Sequence, residues 1–288
     1  MSSTLSPSVQ MTFATRASAL ACALVVWSAA PLADSVAVRH SEGVVHGFLA
    51  LRTMDGATLA DGDLVQTSRG DRVTIRLVFH FKDGSIHDET AIFSQRRRFQ
   101  LISDHLIQKG PSFPQALEMT VVRASGRVTV RYADDGEQKV ADERLELPMD
   151  LANGLIPTLL KNVMPGPSST KVSMVAATPK PRLVKLAVTN VGEEPFSTGG
   201  STRTATHYVV KVEIGGVSGL IAPLVGKQPP DSHVWILQGE APAFVKGELQ
   251  LFPEGPTWRL ELLSPVWPSG AASAEAKDAR EDKADGEH

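Results

Sequence analysis

Cysteine is nearly absent from this 288-residue chain. The single one, Cys22, lies inside an apolar N-terminal stretch. The remainder therefore has no thiol for a disulfide, a thiolate nucleophile or a cysteine-based zinc site. Its stability must come from packing. Aromatic residues make up only 6% of the chain, which leaves Val, Leu and Ile to build a core. No apolar run reaches the ~20 residues that a spanning helix requires. A surplus of one charge is also missing. Net charge is −3, and the last twenty residues alone, with six acids against three bases, account for it. The neutral body has no general electrostatic reason to seek nucleic acid, and no nucleic-acid partner is expected. A Gly-rich phosphate loop, a His-Glu-x-x-His pair and a dinucleotide fingerprint are likewise missing.

What is present first is an export signal. Arg16 precedes the uncharged stretch Ala17 to Ala33, which is most apolar between Leu20 and Trp27. Ser28-Ala29-Ala30 then offers small residues to a signal peptidase. Residues 1–33 are expected to be a signal peptide. The chain is then exported, to the periplasm or beyond, with no integral span in its mature form. An uncleaved N-terminal anchor is the alternative. Residues 34–268 read as a single β-rich domain. Residues 269–288 have no apolar periodicity and read as a disordered acidic tail.

Period-two alternation dominates the domain. Val73, Ile75, Leu77, Phe79 and Phe81 share one face of a strand, and Asp83-Gly84 follows as a tight turn. A two-residue turn there pairs Phe81 with Ile86 and His80 with His87. It also puts Asp88 on the apolar face with Phe79. A second hairpin runs from Met119 to Tyr132 through Ala124-Ser125-Gly126. Asp134-Asp135-Gly136 makes the next turn, into a strand from Lys139 to Leu147. Further strands are expected at Val44 to Arg52, Arg97 to Ile107, Arg182 to Thr189 and Tyr208 to Ile214. Three more follow at His233 to Leu237, Phe244 to Phe252 and Trp258 to Leu263. Two helices are expected. One is capped by Asp150, interrupted by Pro157, and carries Leu151, Leu155, Leu159, Leu160 and Val163 near one face. The other is short, Val217 to Val225. The expected fold is mainly β: an antiparallel curved sheet or open β-barrel with one or two helices against the concave face.

This meander ends in His233-Val234-Trp235-Ile236-Leu237, then Ala241-Pro242-Ala243-Phe244-Val245-Lys246 and Trp258-Arg259-Leu260-Glu261. Over roughly Val44 to Leu263 the topology resembles the bacterial periplasmic lipoprotein-carrier superfamily (LolA/LolB-like), and a related set of exported proteins of unknown function. The resemblance implies a half-open barrel around an apolar cavity that takes up acyl chains or other hydrophobic ligands. It implies no catalytic residues. The cavity-lining candidates are Leu155 and Leu159 on the first helix, and Leu220, Ile221 and Leu224 on the second.

Side chains that could carry chemistry are few. Paired across the first hairpin, His80 and His87 with Glu89 would share a face and could converge on a metal. The plainer reading is a solvated outer face with a diagonal ion pair between Arg76 and Glu89. No metal or other cofactor is expected. Arg96-Arg97-Arg98 alternates faces in a strand and reads as a solvated edge. Ser168-Ser169-Thr170-Lys171 has a Ser-x-x-Lys spacing, but its partner motifs are missing. The expected function is an exported, non-enzymatic protein binding a lipid, acyl chain or other hydrophobic molecule in a half-barrel cavity. The alternative is a cell-envelope scaffold or protein-interaction module with a filled core. A hydrolase comes third, because no acid, base and nucleophile set assembles.

Overall fold

The computed structural model describes residues 35–164, 166, 169–198, 201–213 and 229–263, all within one compact unit. The expected signal peptide, the expected helix at 217–225 with Leu220, Ile221 and Leu224, and the acidic tail lie outside the described residues.

The described chain is one fourteen-stranded antiparallel sheet. The first eight strands are β1 (Val45–Arg52), β2 (Thr58–Arg69), β3 (Arg72–Phe81), β4 (Ile86–Ser94), β5 (Gln100–Lys109), β6 (Leu117–Val122), β7 (Arg127–Asp134) and β8 (Glu137–Arg144). A single short helix, α1 (Ile156–Leu160), follows. The rest are β9 (Thr170–Ala176), β10 (Arg182–Thr198), β11 (Ser201–Glu213), β12 (Ser232–Leu237), β13 (Ala243–Leu249) and β14 (Trp258–Leu263). Two meanders, β1 to β8 and β9 to β14, are joined where the last strand pairs with the first. The two outer strands of the sheet, β8 and β9, are therefore consecutive in the chain.

The segment between those outer strands lies against the concave face. Leu151, Ala152, Leu155, Leu159, Leu160 and Val163 are buried in one cluster with Phe93, Leu101, Met119 and Val130 of the first meander. The same cluster takes in Leu186, Tyr208 and Ile236 of the second. Both wings of the sheet thus share a core built around this inner segment, which removes its apolar surface from water. A smaller cluster is rich in the scarce aromatics. Phe81, Phe113, Phe252 and Trp258 meet largely edge to face, at 5.4–6.5 Å between ring centroids, beside Leu49, Leu51 and Phe79.

Three expectations are corrected. The helix does not start at Asp150. Asp150 and Leu151 instead pair with the free edge of β9, through the Ala152 N–H to Ser173 O (2.8 Å) and the Ser173 N–H to Asp150 O (3.1 Å). The helix is only five residues long, and Pro157 sits in its first turn, where its missing N–H leaves no bond unmade. Strands β2 and β9 were not expected. The β3–β4 loop has three residues, Lys82 to Gly84, with Gly84 at φ +85, and His80 pairs with Ile86. That slip of one residue turns every β4 side chain to the other face.

Candidate functional site on the concave face

With the observed register, His87, Glu89, Ala91 and Phe93 point to the concave side. Asp88 points out and pairs with Arg76 (2.6 and 2.9 Å). Glu89 therefore cannot join Arg76. His80 is exposed on the convex face, on the far side of the sheet from His87, so the expected His80–His87–Glu89 grouping does not form. Among the described residues no three metal-ligating side chains come together.

The register creates a different grouping. On β5, Leu106 lies opposite Glu89 and Asp104 opposite Ala91, so Asp104 shares the concave face with Glu89, one pair along. Above them sits Gly154, from the loop that enters α1, at φ +64. A Cβ on Gly154 would lie 2.7 Å from the Ala91 Cβ, 3.3 Å from Asp104 Oδ1 and 3.5 Å from Glu89 Oε1. Only glycine fits there, and both carboxyls crowd the same point.

Among the described residues neither carboxyl has a cation beside it. Asp104 is fully buried, and neither of its oxygens has a hydrogen-bond partner. Glu89 makes no hydrogen bond or ion pair among the described residues. Burial pushes the Glu89 carboxyl up to about 7. Burial and the nearby Glu89 charge push Asp104 well above the usual carboxylate range, opposed only by the nearby amide of His105. Two such groups can hold one proton between them.

His87 lies two residues from Glu89 on the same face. Its Nδ1 accepts from Gln108 Nε2 (3.0 Å), and that amide also donates to Leu251 O (2.7 Å). The ring proton therefore sits on Nε2, which has no partner. Burial lowers the His87 pKa to about 4, so the ring is neutral at physiological pH. Native structures leave few buried polar atoms unpaired, and three of them lie here on adjacent strands.

Free surface accompanies these groups. Glu89 is half-buried and keeps accessible surface. Leu64 and Leu77, which line up with it across β2 and β3, are also only half-buried, as is Ile75. This row runs where the large cluster meets the aromatic one. At the far end of the row, Leu262 and Leu64 lean over Gly47, whose missing side chain makes room for them. The arrangement is a row of half-buried leucines beside a pair of acids. By contrast, Leu155 and Leu159 are buried within the large cluster and pack it.

A second polar grouping lies on the convex face. Glu194 accepts from His207 Nδ1 (2.8 Å) and from Trp235 Nε1 (2.8 Å). His207 Nε2 meets His233 Nδ1 at 2.9 Å. The Trp235 ring is stacked on His207 at 4.3 Å, with the Lys246 ammonium 3.6 Å from its centroid. Burial lowers the His207 pKa, and the indole hydrogen bond holds Glu194 low. These groups satisfy one another and cover a Trp that would otherwise face water. Sequence reading missed both groupings. An acid in the apolar phase of β5 was the only available sign of the first.

No protein-family model matches the sequence, and none of the curated proteins matches it. One solved structure is similar: a beta-barrel-like protein of a domain of unknown function (DUF1849) from Brucella abortus. It has a TM-score of 0.45 and 10% identity, over 79% of this chain and 100% of that one.

Proposed function

We propose that this chain is an exported, non-enzymatic binding protein that holds a lipid, an acyl chain or a similar hydrophobic molecule in a crevice on the concave face. The observation behind this reading is the row Leu64, Leu77 and Glu89. It keeps accessible surface between two separately packed clusters, on the face that elsewhere fills itself. Apolar surface that the protein leaves open on an inner face favours occupation by a ligand. The LolA/LolB-like resemblance of the 233–261 segment supports the same direction, and the N-terminal apolar stretch supports export. A second reading is an envelope scaffold with a filled core, which the close packing of Leu155, Leu159 and Leu160 favours.

Mass spectrometry of organic extracts, from protein purified out of an exporting host, separates the two. A stoichiometric apolar compound is the expected result. A protein that is clean, and stays empty after incubation with a lipid mixture, would leave the scaffold reading in its place.

A further inference from the structure

The polar floor of the crevice narrows the chemistry of what it binds. Asp104 is fully buried with both oxygens unpartnered, and Glu89 is unpartnered beside it. Both approach the single point under Gly154, and Glu89 alone of the two keeps accessible surface. The nearest neutral donor, His87 Nε2–H, is also unpartnered on the same face. None of the ion pairs formed by Lys and Arg among the described residues reaches this pair. Lys161 and Lys185 are engaged by Glu42 and Asp150 instead. A site that removes two carboxyls from water and supplies no cation is matched by a ligand that brings one.

Resting on the binding reading above, we propose that the bound molecule is an amphiphile with a protonated amine as its polar end, seated on Glu89 with Asp104 behind it. The alkyl part then lies along Leu77 and Leu64 toward Leu262. An ammonium has three donors and no acceptor, which suits two oxygens of Asp104 and one of Glu89. A carboxylate head would meet like charge there. An alcohol would leave the negative charge uncompensated. When the ammonium binds the form in which both carboxyls are protonated, Glu89 gives up its proton to solvent and the ligand keeps its own, so one carboxylate and one ammonium sum to zero.

The test uses the purified full chain with three probes of one length: dodecylammonium, dodecanol and dodecanoate, each measured by calorimetry at pH 7. The amine should bind at least roughly tenfold tighter than either of the others. Its heat should change between buffers of different ionisation enthalpy in the sense of proton release. In Glu89→Gln the amine should lose both its advantage and its proton release, and in Asp104→Asn it should bind more weakly while Glu89 still releases its proton. Arg127→Ala, on the convex face, should keep the preference. Equal binding of amine and alcohol by the wild type would overturn the ammonium proposal and leave the apolar crevice standing. Binding of none of the three would overturn both. The buffer experiment needs no variant, so a substitution that fails to fold does not protect the proposal.

Discussion

One inner segment, residues 150–163, takes four carboxylates out of water and treats them in two ways. At its ends they are compensated. Asp150 is fully buried against Lys185 Nζ (3.0 Å) and Ser173 Oγ (2.9 Å). Glu42 is held by Lys161 Nζ (2.6 Å) and by Gln66 Nε2 (2.9 Å). In the middle, under Gly154, Glu89 and Asp104 have no cation among the described residues. The chain has the means to pair a buried acid and uses it where the segment is anchored. The unpaired acids lie where the concave face is left open. A buried ion pair is costly to break but adds little over an apolar pair. An uncompensated acid lowers stability outright. The ends are therefore read as anchors, and the middle is where we propose that a ligand binds.

The comparison can be broken from either side. The largest effect is expected from Lys161→Met, which strands the Glu42 carboxylate. It should cost about 3–5 kcal/mol in urea unfolding; a loss below ~1 kcal/mol would show that Glu42 is not anchored by the lysine. Next is Gly154→Ala. Its Cβ meets Ala91 at 2.7 Å and its φ is +64, so a loss of about 1–3 kcal/mol is expected in the same assay. A neutral outcome would show that the segment does not press on the two acids.

Glu89→Gln should act the other way. The native Glu89 titrates at about 7 rather than 4.5, so the folded state holds a proton that the unfolded chain has released. That makes stability fall as pH rises from about 4.5 to about 7. His87 has the opposite sign. Its native pKa of about 4 lies below the unfolded 6.5, so its contribution rises with pH across that window. Glu89→Gln removes the first effect alone. It should stabilise the protein by roughly 1–3 kcal/mol at pH 8. It should also flatten the profile between about pH 4.5 and 6.5, where the still-raised Asp104 and His87 act with opposite signs. Superimposable pH profiles of variant and wild type would contradict this. The smallest effect belongs to the convex surface. Arg127→Ala breaks an exposed pair with Asp142 and should change stability by less than about 1 kcal/mol.

The alternation of β3 was plain in the sequence, and with it the mainly-β, antiparallel character. So were the turns at Ser125-Gly126 and Asp135-Gly136, where Gly126 and Gly136 do adopt positive φ. Strand β2 was hidden because Asp61, Gly62 and Asp63 interrupt its pattern, and Gly62 is needed where the Phe79 ring packs on it. The candidate site was lost for one reason. Asp83-Gly84 suits a two-residue turn, whereas the loop has three residues, and a slip of one reverses inside and outside. Glu89 was singled out, but for the wrong face and the wrong neighbours. Asp104 becomes visible only once β5 is registered against β4 and Gly154 is placed above both. Nothing in local sequence reports that contact.

The account depends on a carboxyl pair that the protein leaves uncompensated. Titration of the side-chain carboxyl carbons of Glu89 and Asp104 by NMR measures this directly, with Asp104→Asn and Glu89→Gln to assign them. The prediction is a Glu89 titration near 7, an Asp104 titration above the usual carboxylate range, and a lower Asp104 titration in Glu89→Gln. Independent titration of both groups near 4, as for carboxylates in water, would contradict it.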